Sequence, residues 1–100
     1  MSSKIYSIEE IQAMIAPIAE SFGVERIYLF GSYARGEATE NSDLDLRIDK
    51  GKIRGYFALG GLYNNLVDAL NKPVDLVTTE SLDKDFINSI SSEEVLIYAN

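Results

Sequence analysis

The chain has 100 residues, 46% of them hydrophobic, which suffices for one domain with a true core and excludes a disordered segment. With no cysteine and no histidine it has no disulfides, no thiolate metal site and none of the usual neutral-pH acid–base residue; any bound metal is then a hard cation on oxygen ligands, magnesium first. A net charge of −7 without Lys/Arg stripes argues against direct nucleic-acid binding, and suits a metal-chelated nucleotide or a basic protein better.

The opening residues, Met1-Ser2-Ser3-Lys4-Ile5, form no apolar run of the secretory kind, and no stretch reaches the length of a membrane span. A soluble cytoplasmic protein is therefore expected. Ser7-Ile8-Glu9-Glu10 reads as a capping box, and Ile8, Ile11, Ile15, Ile18 and Phe22 recur at the spacing of one helical face. Pro17 either kinks this helix or starts a second one after Ala16, and Gly23 is a C-terminal stop.

Arg26 to Phe30 is expected to be a short central strand by its β-forming residues, ended by Gly31-Ser32, with one helical turn over Tyr33 to Gly36. A polar loop, Glu37 to Ser42, leads to a strand in which Leu44, Leu46 and Ile48 alternate with Asp43, Asp45, Arg47 and Asp49. After a basic turn from Gly51 to Gly55, the spacing of Leu59, Leu62, Tyr63, Leu66, Val67 and Leu70 predicts an amphipathic helix, broken at Lys72-Pro73. Val74 to Thr78 is a third strand, Leu82 to Ile90 a polar helix, and Val95 to Tyr98 a last strand or an extended tail. The expected class is α/β (α+β): one domain over residues 1–100 with helices covering a small mixed β-sheet.

Chemistry concentrates in four places. Residues two apart on a strand share a face, roughly 7 Å from one another, so Asp43 and Asp45 project together, away from Leu44 and Leu46. Two such like charges are either a solvated pair or the ligands of divalent cations, and a pair of magnesium ions about 4 Å apart would relieve their repulsion and orient a triphosphate. Gly31-Ser32 is either an ordinary strand-ending turn or a phosphate cradle of close backbone and hydroxyl. Arg35 reaches a phosphate or pairs with Glu37 or Glu40. Asp75, between apolar Val74 and Leu76, is a surface charge or a third ligand and the base for an attacking hydroxyl. A P-loop is excluded because Glu37 and Ala38 stand where Lys and Ser/Thr are needed; a calcium loop is excluded by Arg47 and Ile48.

Taken together, Leu29-Phe30-Gly31-Ser32-Tyr33-Ala34-Arg35-Gly36-Glu37, the ten residues between Ser32 and Asp43, Ser42-Asp43-Leu44-Asp45-Leu46 and Val74-Asp75-Leu76-Val77 resemble the signature of minimal nucleotidyltransferases (MNT domains) of the DNA polymerase beta-type superfamily. The resemblance implies that fold, phosphate binding at Gly31, Ser32 and Arg35, metals on Asp43 and Asp45, and Asp75 completing the catalytic triad. It also implies ATP as substrate with Mg2+, two ions being expected, and a HEPN-type ribonuclease toxin as partner. Members of this size act as antitoxins by transferring AMP to a toxin tyrosine, by complex formation, or both. Arg47 departs from the pattern, standing where the family strand is aliphatic. The competing expectations are an antitoxin that works by binding alone, a nucleotide-sensing domain, and a small-molecule nucleotidyltransferase working as an oligomer. Tyr33, inside the motif, is either a packing residue or a self-modification site.

Overall fold

Ser7 and Glu10 cap the first helix reciprocally: the Ser7 hydroxyl accepts from the Glu10 amide at 3.0 Å, and the Glu10 carboxylate accepts from the Ser7 amide at 2.9 Å. The helix they start, α1 (Ile8–Phe22), stops at Gly23, whose φ of 72° satisfies the last carbonyls. Pro17 does not break it. The ring lies on the exposed side of one continuous helix, where the carbonyl that loses its donor faces water. The computed structural model describes residues 4–100, so the absence of a secretory run at Met1-Ser2-Ser3 lies outside the described residues.

The remaining elements are β1 (Arg26–Phe30), α2 (Gly31–Arg35), β2 (Leu44–Asp49), α3 (Gly55–Leu70), β3 (Val74–Thr78), α4 (Lys84–Ser91) and β4 (Val95–Ala99), with a 3-10 turn at Thr79–Ser81. The last segment is a strand, not a tail. It pairs antiparallel with β1, which is central, and the sheet order is β3-β2-β1-β4. β1 and β2 are antiparallel, β2 and β3 parallel, so the sheet is mixed as the pattern predicts. Among the described residues no helix is long and apolar enough to cross a membrane.

Period-two alternation gives the sheet two unlike faces. Ile27, Leu29, Leu44, Leu46 and Ile48 are fully buried against Ile11, Ile15 and Ala19 of α1 and Leu62, Leu66 and Leu70 of α3. The opposite face is polar and runs in register rows: Phe30–Asp45–Asp75, then Tyr28–Arg47–Val77, then Arg26–Asp49. In the first row α4 supplies Phe86, its ring edge-on to Phe30 with centroids 6.2 Å apart.

Arg47, which alternation assigns to solvent, is buried instead, at 7% exposure. Its guanidinium forks onto Glu94 at 2.6 and 2.8 Å, donates to Thr79 at 2.7 Å, and stacks on Tyr28 at 4.1 Å. Removing one partner of such a pair strands the other charge. Arg47→Ala is therefore expected to cost about 3–5 kcal/mol in denaturant unfolding, and the apolar double replacement Arg47→Met/Glu94→Leu to recover most of it. A loss below about 1 kcal/mol would mean that the pair is solvated.

Candidate active site

The acid end of the polar face is built by three strand termini. β1 ends at Phe30 and the chain turns at once into α2, with Gly31 at φ 74°, a conformation that L side chains avoid. A methyl group on Gly31 would overlap Oδ2 of Asp45, so glycine is required there by backbone and by space alike. Gly36, at φ 73°, closes the short helix, and Glu37 N–H donates to the Ser32 carbonyl at 2.9 Å.

β2 brings Asp45 opposite Phe30 on one side and Asp75 on the other, and Asp43 precedes the strand. Asp43 and Asp75 are exposed and Asp45 half-buried. Among the described residues none of the three carboxylates takes a hydrogen bond or ion pair from the protein. Burial first, then the charges of Asp75 and Asp43, push the Asp45 carboxyl up to about 6, with Arg35 opposing and Glu93 adding to the rise. The site is an anion cluster whose mutual repulsion Arg35 offsets only in part.

The donor set is all oxygen and suits a hard cation. Among the described residues no group of three or more acidic side chains is placed so that it could hold a metal ion by itself. Magnesium is usually held by one or two carboxylates plus substrate phosphates, which this open arrangement fits. Ser32 stands beside the cluster on α2, half-buried, its hydroxyl without a partner among the described residues.

Arg35 is already engaged. Its guanidinium spans Glu37 and Glu93, at 2.8 Å each, so of its two acidic neighbours in sequence it takes Glu37 and not Glu40; both contacts raise its pKa. Glu93 was not legible as a site neighbour, since its position depends on how α4 returns to the sheet. Tyr33 is buried at 4% exposure, a packing residue out of reach for self-modification. A cavity of about 450 Å³ lies at the far end of the polar face, around Arg26, Arg47, Asp49 and Thr79, and none of the three acids lines it.

A polymerase beta nucleotidyltransferase family model matches residues 12–100. The chain belongs to that family. It is 35% identical over 95 residues to the protein adenylyltransferase MntA of Thermococcus cleftensis, covering 91% of this chain and 96% of that protein. Its fold superposes on a toxin–antitoxin crystal structure with AMP-PNP at TM-score 0.75, with 25% identity, over 89% of this chain and 73% of that one. A complex of the tri-AMPylated HEPN toxin of Shewanella oneidensis with its MNT antitoxin shares the fold at TM-score 0.70 and 21% identity, over 93% and 73%. The matched range includes Gly31, Ser32, Asp43, Asp45 and Asp75.

Two stability measurements check this geometry. A folded carboxyl that ionises only near pH 6 makes the nucleotidyltransferase lose stability as pH rises from about 4 to 6, because the folded state then holds the extra proton. Asp45→Asn should thus be more stable than wild type at pH 7.5, by about 1 kcal/mol or roughly 4–8 °C, and show no gain at pH 4. Gly31→Ala should lose about 2–4 kcal/mol, from left-handed backbone plus overlap with Asp45, and Asp45→Ala in the same chain should recover the overlap part only.

Proposed function

We propose that this nucleotidyltransferase moves AMP from ATP to a tyrosine of a HEPN-type toxin in the cytoplasm and acts as its antitoxin. The observation that carries the reading is Asp45, flanked by Asp43 and Asp75 with no protein cation on any of them, directly under the Gly31 turn. Protein groups that repel one another in the free state are positioned for a ligand that brings positive charge. The relatives named above, an MntA adenylyltransferase and a toxin–antitoxin pair with a bound ATP analogue, support the choice of nucleotide and partner.

In this reading the Gly31 backbone and the Ser32 hydroxyl hold the triphosphate, while Arg35 exchanges a carboxylate for a phosphate oxygen. Magnesium, two ions in this proposal, would sit on Asp43 and Asp45 with Asp75 completing the set, neutralising carboxylates and phosphates together. Asp75, on the exposed outer strand, accepts the proton of the tyrosine hydroxyl. The phenolic oxygen bonds to the α-phosphorus, the bond from that phosphorus to the β-phosphate oxygen breaks, and pyrophosphate leaves. The open site leaves room for a protein acceptor, which supplies the rest of its own surroundings.

The test is transfer itself. ATP labelled on its α-phosphate, magnesium and a HEPN-type toxin from the same genome should give label on a toxin tyrosine. Asp43→Ala/Asp45→Ala should lower labelling by about a hundredfold or more. Label that survives in the double variant would sink the site. Neutralisation of the toxin without label, equally strong in that variant, would favour an antitoxin that works by binding alone.

A further inference from the structure

β3 is the outer strand on the side of the sheet that carries Asp75, and among the described residues nothing pairs with its free edge. The Leu44 amide donates to the Pro73 carbonyl at 3.0 Å, and Leu44 is in register with Val74. A parallel ladder that starts this way commits the backbones of Asp75 and Val77 inward to β2 and turns those of Val74, Leu76 and Thr78 outward. Unpaired edge groups of this kind are a template for another strand.

Alongside the same edge runs an apolar groove of about 290 Å³, lined by Tyr56, Leu59, Gly60, Tyr63 and Leu76. Tyr56 is 91% exposed, the adjoining Phe57 fully exposed and Tyr63 40% exposed, although the helical spacing predicts Tyr63 on the core face. Leu76 belongs to the groove side of β3 and Asp75 to the acid side, because consecutive strand residues face opposite ways. One edge therefore offers a backbone ladder, an apolar slot and, one residue away on the other face, the group assigned above to the acceptor's proton.

We propose that the free edge of β3 receives an extended, basic-flanked segment of the acceptor protein. The segment adds as a strand, seats one apolar side chain in the Leu59–Tyr63–Leu76 groove and thereby delivers the neighbouring hydroxyl residue to Asp75. Strand addition gives affinity through the main chain and specificity through alternate side chains. The charge of −7 and the unpaired carboxylates call for lysine or arginine on the incoming segment. The same charges disfavour a second copy, which would bring Asp75 against its own counterpart. The role of the hydroxyl rests on the transfer reading above; the docking does not.

Two variants separate the parts. Thr78→Pro removes one outward amide and leaves the inward ladder alone, a change that edge strands tolerate. Tyr63→Lys puts a charge into the groove from a side chain already 40% exposed, and carries the test where the proline lowers stability. Each is compared with wild type for affinity to that HEPN-type toxin by calorimetry, for affinity to AMP-PNP with magnesium, and for sedimentation. The expected result is binding to the partner weakened about tenfold with nucleotide affinity unchanged. Partner affinity within about twofold of wild type in a folded variant overturns the docking, and label transferred by wild type then leaves the activity standing. Weakened partner binding with no label transferred by wild type keeps the docking and removes the activity. A wild-type dimer that these changes dissociate places a second copy on the edge and also overturns the proposal.

Discussion

The acid end of this protein depends on how closely the Gly31 backbone approaches the Asp45 carboxylate. That contact leaves no space for a β-carbon, and the turn needs a positive φ at the same residue. It links β1 to β2 at the end of the sheet, and it holds Asp45 partly out of water beside two other carboxylates. Glycine here thus determines both the path of the chain into α2 and the electrostatic state of the site.

The polar face needs a second device so that the sheet is not left open along its length. Tyr28, Arg47, Glu94 and Thr79 supply it, as a bidentate ion pair under an aromatic ring in the middle row. The Arg35 fork to Glu37 and Glu93 does similar work nearer the acids. Both tie the segment around α4 and β4 to the sheet by charge, beside the apolar Phe30–Phe86 contact, where the opposite face uses apolar packing throughout. The acids at the end of the face are left unpaired while the charges beside them are paired.

Much of this was legible in the sequence where the signal is local. The capping box, the β1 strand and the alternation from Leu44 to Asp49 depend on near neighbours and fall where the pattern places them, while the helical turn starts at Gly31, two residues before the expected Tyr33, and Asp43 precedes its strand. Arg47 was not legible as a buried residue, because its partners Glu94 and Thr79 lie 47 and 32 residues away. The same holds for Glu93 beside Arg35, 58 residues on. Alternation reports which side of a strand is polar; it does not report what covers that side. Asp75 was found as a carboxylate in an apolar strand, but its pairing with Asp45 depends on a parallel register that only the folded sheet defines. Pro17 stays inside α1 because the helix is anchored on its other face, a tertiary effect outweighing a local preference.

The central claim is that the carboxylates of Asp43, Asp45 and Asp75 repel one another until a nucleotide arrives with its cation. Melting temperatures of wild type and Asp45→Asn at neutral pH, each with and without magnesium and AMP-PNP, test it most directly. The account predicts that the magnesium nucleotide raises the melting temperature of wild type and leaves the variant nearly unmoved, cancelling the advantage the variant holds alone. Equal shifts in both proteins, or no shift in wild type, would contradict it.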